Sequence, residues 1–124
     1  MNDDVTLNSR FRRLKQIGAS GTCNVHLATQ LTLDRVVVVK EVKDLRGVFP
    51  HLVDTELRSR LEEEVRKAAR LSHPNIVPIL EADTSNTQPC IISEYVEGTS
   101  LRHVLNSTGP LSPERVVLVF LQIL

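Results

Sequence analysis

The sequence lacks the features that would place it in a specialised class. It has only two cysteines in 124 residues, Cys23 and Cys90, far apart and without metal-ligand spacing. No secretory leader pattern opens the chain, and together these features predict a reducing, cytoplasmic setting. Net charge is absent, with 15 basic residues against 15 acidic. No global field therefore recruits nucleic acid or an acidic membrane. The basic stretch Arg10, Arg12, Arg13 and Lys15 is local and reads as the solvated face of a first strand. No long hydrophobic run is present either: the longest, Val116 to Leu124, falls far short of the roughly 20 residues of a membrane span. Internal repeats and low-complexity tracts are also missing. What remains is a single domain with a modest core.

Residues 1–9 are polar and predict a flexible N-terminus. Phe11 to Ile17 and Asn24 to Gln30 alternate apolar and polar residues as half-buried strands do. Between them lies a small-residue turn, Gly18 to Cys23. Thr32-Leu33-Asp34 turns the chain into a strand that runs to about Val42, and Gly47 and Pro50 end that unit. A helix follows, with Asp54 or Thr55 as its cap and Glu56 in its first turn. It stops near Ser72, because Pro74 disfavours helical geometry at His73. Val77 to Leu80 and Cys90 to Tyr95 read as further strands, joined by the polar loop Thr84 to Gln88. A short helix begins at Leu101, and Ser112-Pro113-Glu114 starts another, with serine at the cap and proline at the first helical position.

Two ionisable residues stand out against this background. The run Arg35-Val36-Val37-Val38-Val39-Lys40 reads as a strand buried on both faces, closed by a lysine. A cation there is costly unless an anion meets it. At about 100° per residue, Leu57, Leu61, Ala68 and Leu71 share one stripe of the following helix. Of Glu62, Glu63 and Glu64, only Glu64 falls inside that stripe; the other two point toward solvent. Lys40 and Glu64 are thus either a structural ion pair or part of a site.

The neighbouring segments bear on that choice. Upstream is Ile17-Gly18-Ala19-Ser20-Gly21-Thr22-Cys23-Asn24-Val25, and downstream are His73-Pro74-Asn75-Ile76-Val77 and Ile91-Ile92-Ser93-Glu94-Tyr95-Val96-Glu97-Gly98. A glycine-rich turn between strands can present backbone N–H groups to phosphate oxygens; the plain alternative is an ordinary hairpin loop. The order and spacing of all these segments resemble the N-terminal lobe of a serine/threonine protein kinase, most closely the bacterial eukaryotic-like branch, over about Phe11 to Leu124.

The resemblance implies an α+β fold: a five-stranded antiparallel sheet with one crossing helix, followed by the first helices of a helical lobe. It divides the chain into a small lobe over residues 10–97 and the start of a large lobe over 98–124. It implies that Lys40 contacts the α- and β-phosphates of ATP and is positioned by Glu64. Gly18, Ser20 and Cys23 match the family's three glycine positions, so only the first is glycine. Ser20 keeps its N–H and adds a hydroxyl; Cys23 is unfavourable if its position needs positive φ, and Gly21 at the loop tip relieves part of that strain. His26 stands where the family usually has tyrosine. Ile17 and Val25 form one wall of an adenine pocket, Val38 replaces the usual alanine over the base, and Ser93 guards the back. The Glu94 carbonyl and Val96 N–H bond the adenine edge, and Glu97 is a candidate for the ribose hydroxyls. His73 serves packing and loop fixing rather than catalysis.

The resemblance also marks what the sequence does not contain. No His-Arg-Asp or Asp-Phe-Gly segment is present, so the catalytic base and the magnesium ligands are missing, and no metal site is visible. The expectation is the ATP-binding portion of a kinase that phosphorylates protein hydroxyls when complete and is inactive as these residues alone. Magnesium enters only with the missing large lobe. The altered loop and Val38 support an alternative, a degenerate pseudokinase-like module that holds nucleotide weakly or serves protein interaction. Residues 116–124, apolar nearly all round, predict burial inside a larger body and self-association without it.

Overall fold

A computed structural model describes residues 10–84 and 88–124. The expectation for residues 1–9, and for positions 85–87 of the loop after Thr84, lies outside the described residues. The strands are β1 (Phe11–Ala19), β2 (Cys23–Gln30), β3 (Arg35–Val42), β4 (Ile79–Asp83) and β5 (Cys90–Glu94). The helices are α1 (Leu45–Val48), α2 (Asp54–Ala69), α3 (Leu101–Thr108) and α4 (Pro113–Ile123). The strands form one antiparallel sheet in the order β1-β2-β3-β5-β4. This is the expected five-stranded sheet with one long helix packed on it.

The valine run does not form a strand buried on both faces. Val37 and Val39 are fully buried, Val38 is half-buried, and Val36 is exposed. Strand periodicity of two explains the difference. Val37 and Val39 join Phe11, Ala28, Cys90 and Ile92 in one core, with Leu80 against it. Val38 and Lys40 point to the other face, which α2 covers only in part.

The first core is closed by the sheet curling on itself. Arg10, just before β1, pairs with Glu81 at 2.7 Å and Asp83 at 3.7 Å on β4. Since β1 and β4 are the two edge strands, these ion pairs join opposite edges across the core face. Arg10 also stacks over the Phe11 ring, 5.2 Å from its centroid. Arg13, half-buried, turns inward to Glu41 at 3.9 Å. Arg10, Arg12 and Lys15 of the basic stretch are exposed, whereas Arg13 lies two residues from buried Phe11 and shares its inward side of β1.

On the opposite face, α2 packs Leu61 and Val65 against Val42, with Cys23, Leu45, Phe49, Ile79 and Ile91 around them. The buried stripe is Leu57, Leu61 and Val65, four residues apart each time. Leu71, assigned to the stripe from sequence, is exposed, since the helix ends at Ala69 in a tightened turn: Arg70 N–H donates to Lys67 O and Leu71 N–H to Ala68 O. The N-cap is Val53, without a side-chain cap bond; Asp54 instead pairs with Arg46 of α1. Ser112 caps the last helix as expected, accepting from Arg115 N–H, and Ser100 caps α3 in the same way, accepting from His103 N–H.

Candidate functional site

Sheet register brings the expected site residues of the central strands onto one face. Val25 lies opposite Lys40, Leu27 opposite Val38, and Val38 opposite Ser93. Val25, Val38 and Ser93 are half-buried and Lys40 is exposed. These side chains occupy the part of the sheet that α2 leaves open, so a partly apolar floor runs beside a single cation. Ile17 sits at a register irregularity between Gln16 and Gly18 at the rim, 47% exposed.

After β5 the backbone changes character. Glu94 N–H donates to Pro78 O at 3.1 Å, ending the sheet. Val96 is 63% exposed, and its N–H makes no hydrogen bond within the described residues. An unpaired donor just past a strand, beside an apolar floor, suits the edge of a planar heterocycle. Glu97 is exposed and Gly98 has a φ of 152°, the latter allowing the chain to leave the sheet.

The Gly18–Cys23 turn is closed by its own serine. Ser20 Oγ accepts from Thr22 N–H at 3.3 Å and Cys23 N–H at 3.2 Å, while Ser20 N–H donates to Cys23 O at 2.8 Å. Gly21 N–H makes no bond within the described residues, and a Cβ added at Gly21 would meet nothing within 4 Å. Asp34 is the only non-glycine residue with positive φ among the described residues. Cys23 therefore carries no backbone strain, and Gly21, also outside the left-handed region, is not needed to relieve any. Cys23 begins β2 opposite Val42 and packs with the α2 core.

Lys40 and Glu64 do not form the expected ion pair. Glu64 pairs with Arg60 at 3.1 Å and Lys67 at 3.6 Å, both on its own helix. The buried stripe centres on Leu61, and three residues at about 100° each place Glu64 roughly 60° to one side of it. Its side chain is 41% exposed, within easy reach of cations above and below it. Glu62, expected in solvent, instead accepts the Thr84 hydroxyl, and Arg58 donates to the Thr84 carbonyl. Glu63 is exposed as expected and pairs with Lys67 at 3.5 Å.

Sequence reasoning missed three features around this site. Thr22 O accepts two N–H groups from the β3–α1 connection, Lys43 at 2.9 Å and Asp44 at 3.1 Å. Lys43 Nζ reaches Asn24 Oδ1 at 3.1 Å. Gly47, read only as a unit boundary, lies against Thr22. An isolated glycine after a strand was the available signal.

A separate buried group lies inside the curled sheet. His26 is 2% exposed and its ring nitrogens make no hydrogen bond, although Glu41 Oε1 is 3.6 Å from Nε2. Burial is the main influence holding its pKa below the ordinary value; Arg13 adds to the lowering and Glu41 opposes it. Burial likewise pushes the nearby Cys90 thiol up to about 11, with Glu41 and Asp83 adding to it, so this cysteine is an inert packing residue.

Further away, Asn75 Nδ2 donates to Gln122 O at 2.8 Å and His73 Nδ1 accepts Asn75 N–H at 3.0 Å. His73 thus fixes its turn, as expected. A cavity of about 550 Å³ lies between this turn and α4, lined by Ile76, Val119, Ile123 and Leu124 among others. Among the described residues no cluster of three metal-ligating side chains occurs, and no helix is long and apolar enough to cross a membrane.

Comparison with known proteins agrees with this architecture. The family described as "Protein kinase domain" matches residues 11–124. Serine/threonine-protein kinase PrkC of Bacillus subtilis is 34% identical over 117 residues, covering 94% of this chain and 17% of the relative. Serine/threonine-protein kinase PknB of Mycolicibacterium smegmatis is 36% identical over 116 residues, covering 90% of this chain and 18% of the relative. Serine/threonine-protein kinase pkn2 of Myxococcus xanthus is 32% identical over 117 residues, 93% of this chain and 13% of the relative. The chain thus spans under a fifth of the length of these curated relatives.

Proposed function

Because this chain belongs to the protein kinase family, we propose that it is the ATP-binding portion of a serine/threonine kinase. In this reading, residues 10–97 are the nucleotide-binding small lobe, and residues 98–124 are the linker and first helices of the large lobe. The observation that carries the proposal is the open half of the sheet. Val25, Val38 and Ser93 form an apolar floor there, with Lys40 at one end and the unpaired Val96 N–H beyond β5. The base lies on that floor between Val96 and Val38, the ribose faces Glu97, and the phosphates lie between Lys40 and the Gly18–Cys23 turn. Lys40 supplies a fixed positive charge where the nucleotide is most negative.

Phosphoryl transfer needs a base and magnesium ligands besides the cation. In this reading the role of this portion is to bind and orient the nucleotide, and the magnesium ligands belong to the large lobe, as the family resemblance implies. Transfer of the γ-phosphate to protein hydroxyls is the proposed activity of the complete protein. A second reading, a degenerate module that holds nucleotide weakly, is supported by Ser20 Oγ occupying two loop amides and by Glu64 pairing away from Lys40. Calorimetric titration with ATP and with adenosine separates the readings. The kinase reading expects ATP to bind more tightly than adenosine, with the advantage lost in Lys40→Met. No binding of either compound defeats both nucleotide readings.

A further inference from the structure

The connection between β3 and α2 holds the Gly18–Cys23 turn at a single residue, Thr22. The Thr22 carbonyl accepts both Lys43 N–H and Asp44 N–H. On its side-chain side, a Cβ added to Gly47 would come within 2.8 Å of Thr22 Cγ2 and would collide with the Asp44 carboxylate. Gly47 is not among the glycines with positive φ. Its backbone therefore accepts any residue, and what crowds the position is two side chains, those of Asp44 and Thr22. Asp44 Oδ1 accepts Gly47 N–H at 3.0 Å and so holds the α1 turn against the loop. Thr22 lies within the turn closed by Ser20 N–H and Cys23 O, so displacing it displaces the amides on either side.

We propose that Gly47 and Asp44 are positioning residues for phosphate binding, setting the height of the Gly18–Cys23 loop over the sheet through their contact with Thr22. The inference rests on the nucleotide reading above. The adenine floor and Val96 lie outside this contact, so disturbing it changes recognition of the phosphates and spares recognition of the base. Because Arg46 of the same turn pairs with Asp54 at the start of α2, the loop and the helix share one mechanical support.

The test compares ATP and adenosine affinities by calorimetry on the full chain. Gly47→Ala is expected to weaken ATP about fivefold while leaving adenosine within about twofold. Adding Thr22→Ser, which removes Cγ2 and keeps the hydroxyl, is expected to recover the part of that loss that runs through Thr22, since the crowding against Asp44 remains. Asp44→Ala measured against Asp44→Asn provides an independent arm if Gly47→Ala does not fold. Both lack the charge, but only alanine loses the acceptor for Gly47 N–H, so it alone should weaken ATP relative to adenosine. Equal loss of both ligands, no loss of ATP, or no recovery with Thr22→Ser each overturns the inference while leaving the nucleotide site standing. A wild-type chain that binds neither ligand removes the site itself, and the inference with it.

Discussion

Glu64 and Arg60 face each other at 3.1 Å, one turn apart on α2, while Lys40 projects from the open face of the sheet without a carboxylate partner among the described residues. A half-exposed pair at this spacing contributes only about 0.3–0.5 kcal/mol. Glu64 is thus weakly held where it is. Lys40, being exposed, leaves no buried charge behind when removed. Lys40→Met should change unfolding free energy by less than about 0.5 kcal/mol while lowering ATP affinity roughly tenfold, a difference of about 1.4 kcal/mol. Urea denaturation and calorimetry on the same samples check both halves. A destabilised Lys40→Met variant would point to a buried lysine that the structure does not show.

The loop substitutions separate from one another. Ser20→Gly removes the hydroxyl that occupies Thr22 N–H and Cys23 N–H, leaving two donors for phosphate oxygens. ATP affinity should rise about threefold, of the order of one modest hydrogen bond. Cys23→Gly should bring no such gain, since Cys23 has no strained φ to relieve. It should cost about 1 kcal/mol of stability through lost packing at Val42 and a more flexible backbone. Titrations of the two single variants distinguish these outcomes, and a gain confined to Cys23→Gly would reverse the assignment.

The pH dependence of folding follows from His26. Its folded pKa lies below the ordinary value of 6.5, with burial as the main cause. The unfolded chain therefore takes up a proton below about pH 6.5 that the folded chain refuses. Stability is lost as pH falls through that value and continues to fall until the folded pKa is reached. Arg13, Glu41 and Cys90 face the same interior, and of these Glu41 opposes the lowering at His26. Wild type should therefore lose stability through this residue as pH falls from about 7 to about 5.5. His26→Gln, compared with wild type by denaturation across that range, should flatten the slope. Parallel slopes would mean that the ring is protonated inside the sheet.

The last helix carries the clearest prediction about association. Val117, Leu118, Phe120, Leu121 and Ile123 are each more than half exposed, and Asn75 holds the helix by one bond to Gln122 O. A contiguous apolar surface of this kind is sticky in water. The 124-residue chain should self-associate, and a chain ending at Ser107 should run as a monomer in size-exclusion chromatography with light scattering. Identical association states for the two chains would place the sticking surface elsewhere.

How much was legible in the sequence differs between elements for physical reasons. The five strands, the long helix and the two last helices follow from periodicity and, at Ser112, from cap chemistry, which act within a few residues. The face shared by Val25, Val38, Lys40 and Ser93 was foreseen through the family resemblance, and strand register delivers it. The α1 turn was not foreseen: Leu45 to Val48 is too short to carry a periodic signal, and what holds it in place is Asp44 capping Gly47 and Thr22 accepting from Lys43 and Asp44.

The sequence by itself determined the order of elements, the apolar stripes and the positions of the chemically distinctive residues, because these depend on local preferences. Only the tertiary structure decided which of those residues meet. It curled the sheet so that Arg10 reaches Glu81 across its edges, sealed His26 beside Glu41 and Arg13, and set the phase of α2 on Leu57, Leu61 and Val65. That phase leaves Glu64 at the flank, where Arg60 on its own helix is nearer than Lys40 on the sheet. A hydrophobic stripe specifies a helical face to within about one residue's rotation, and a carboxylate's choice between two cations turns on less than that.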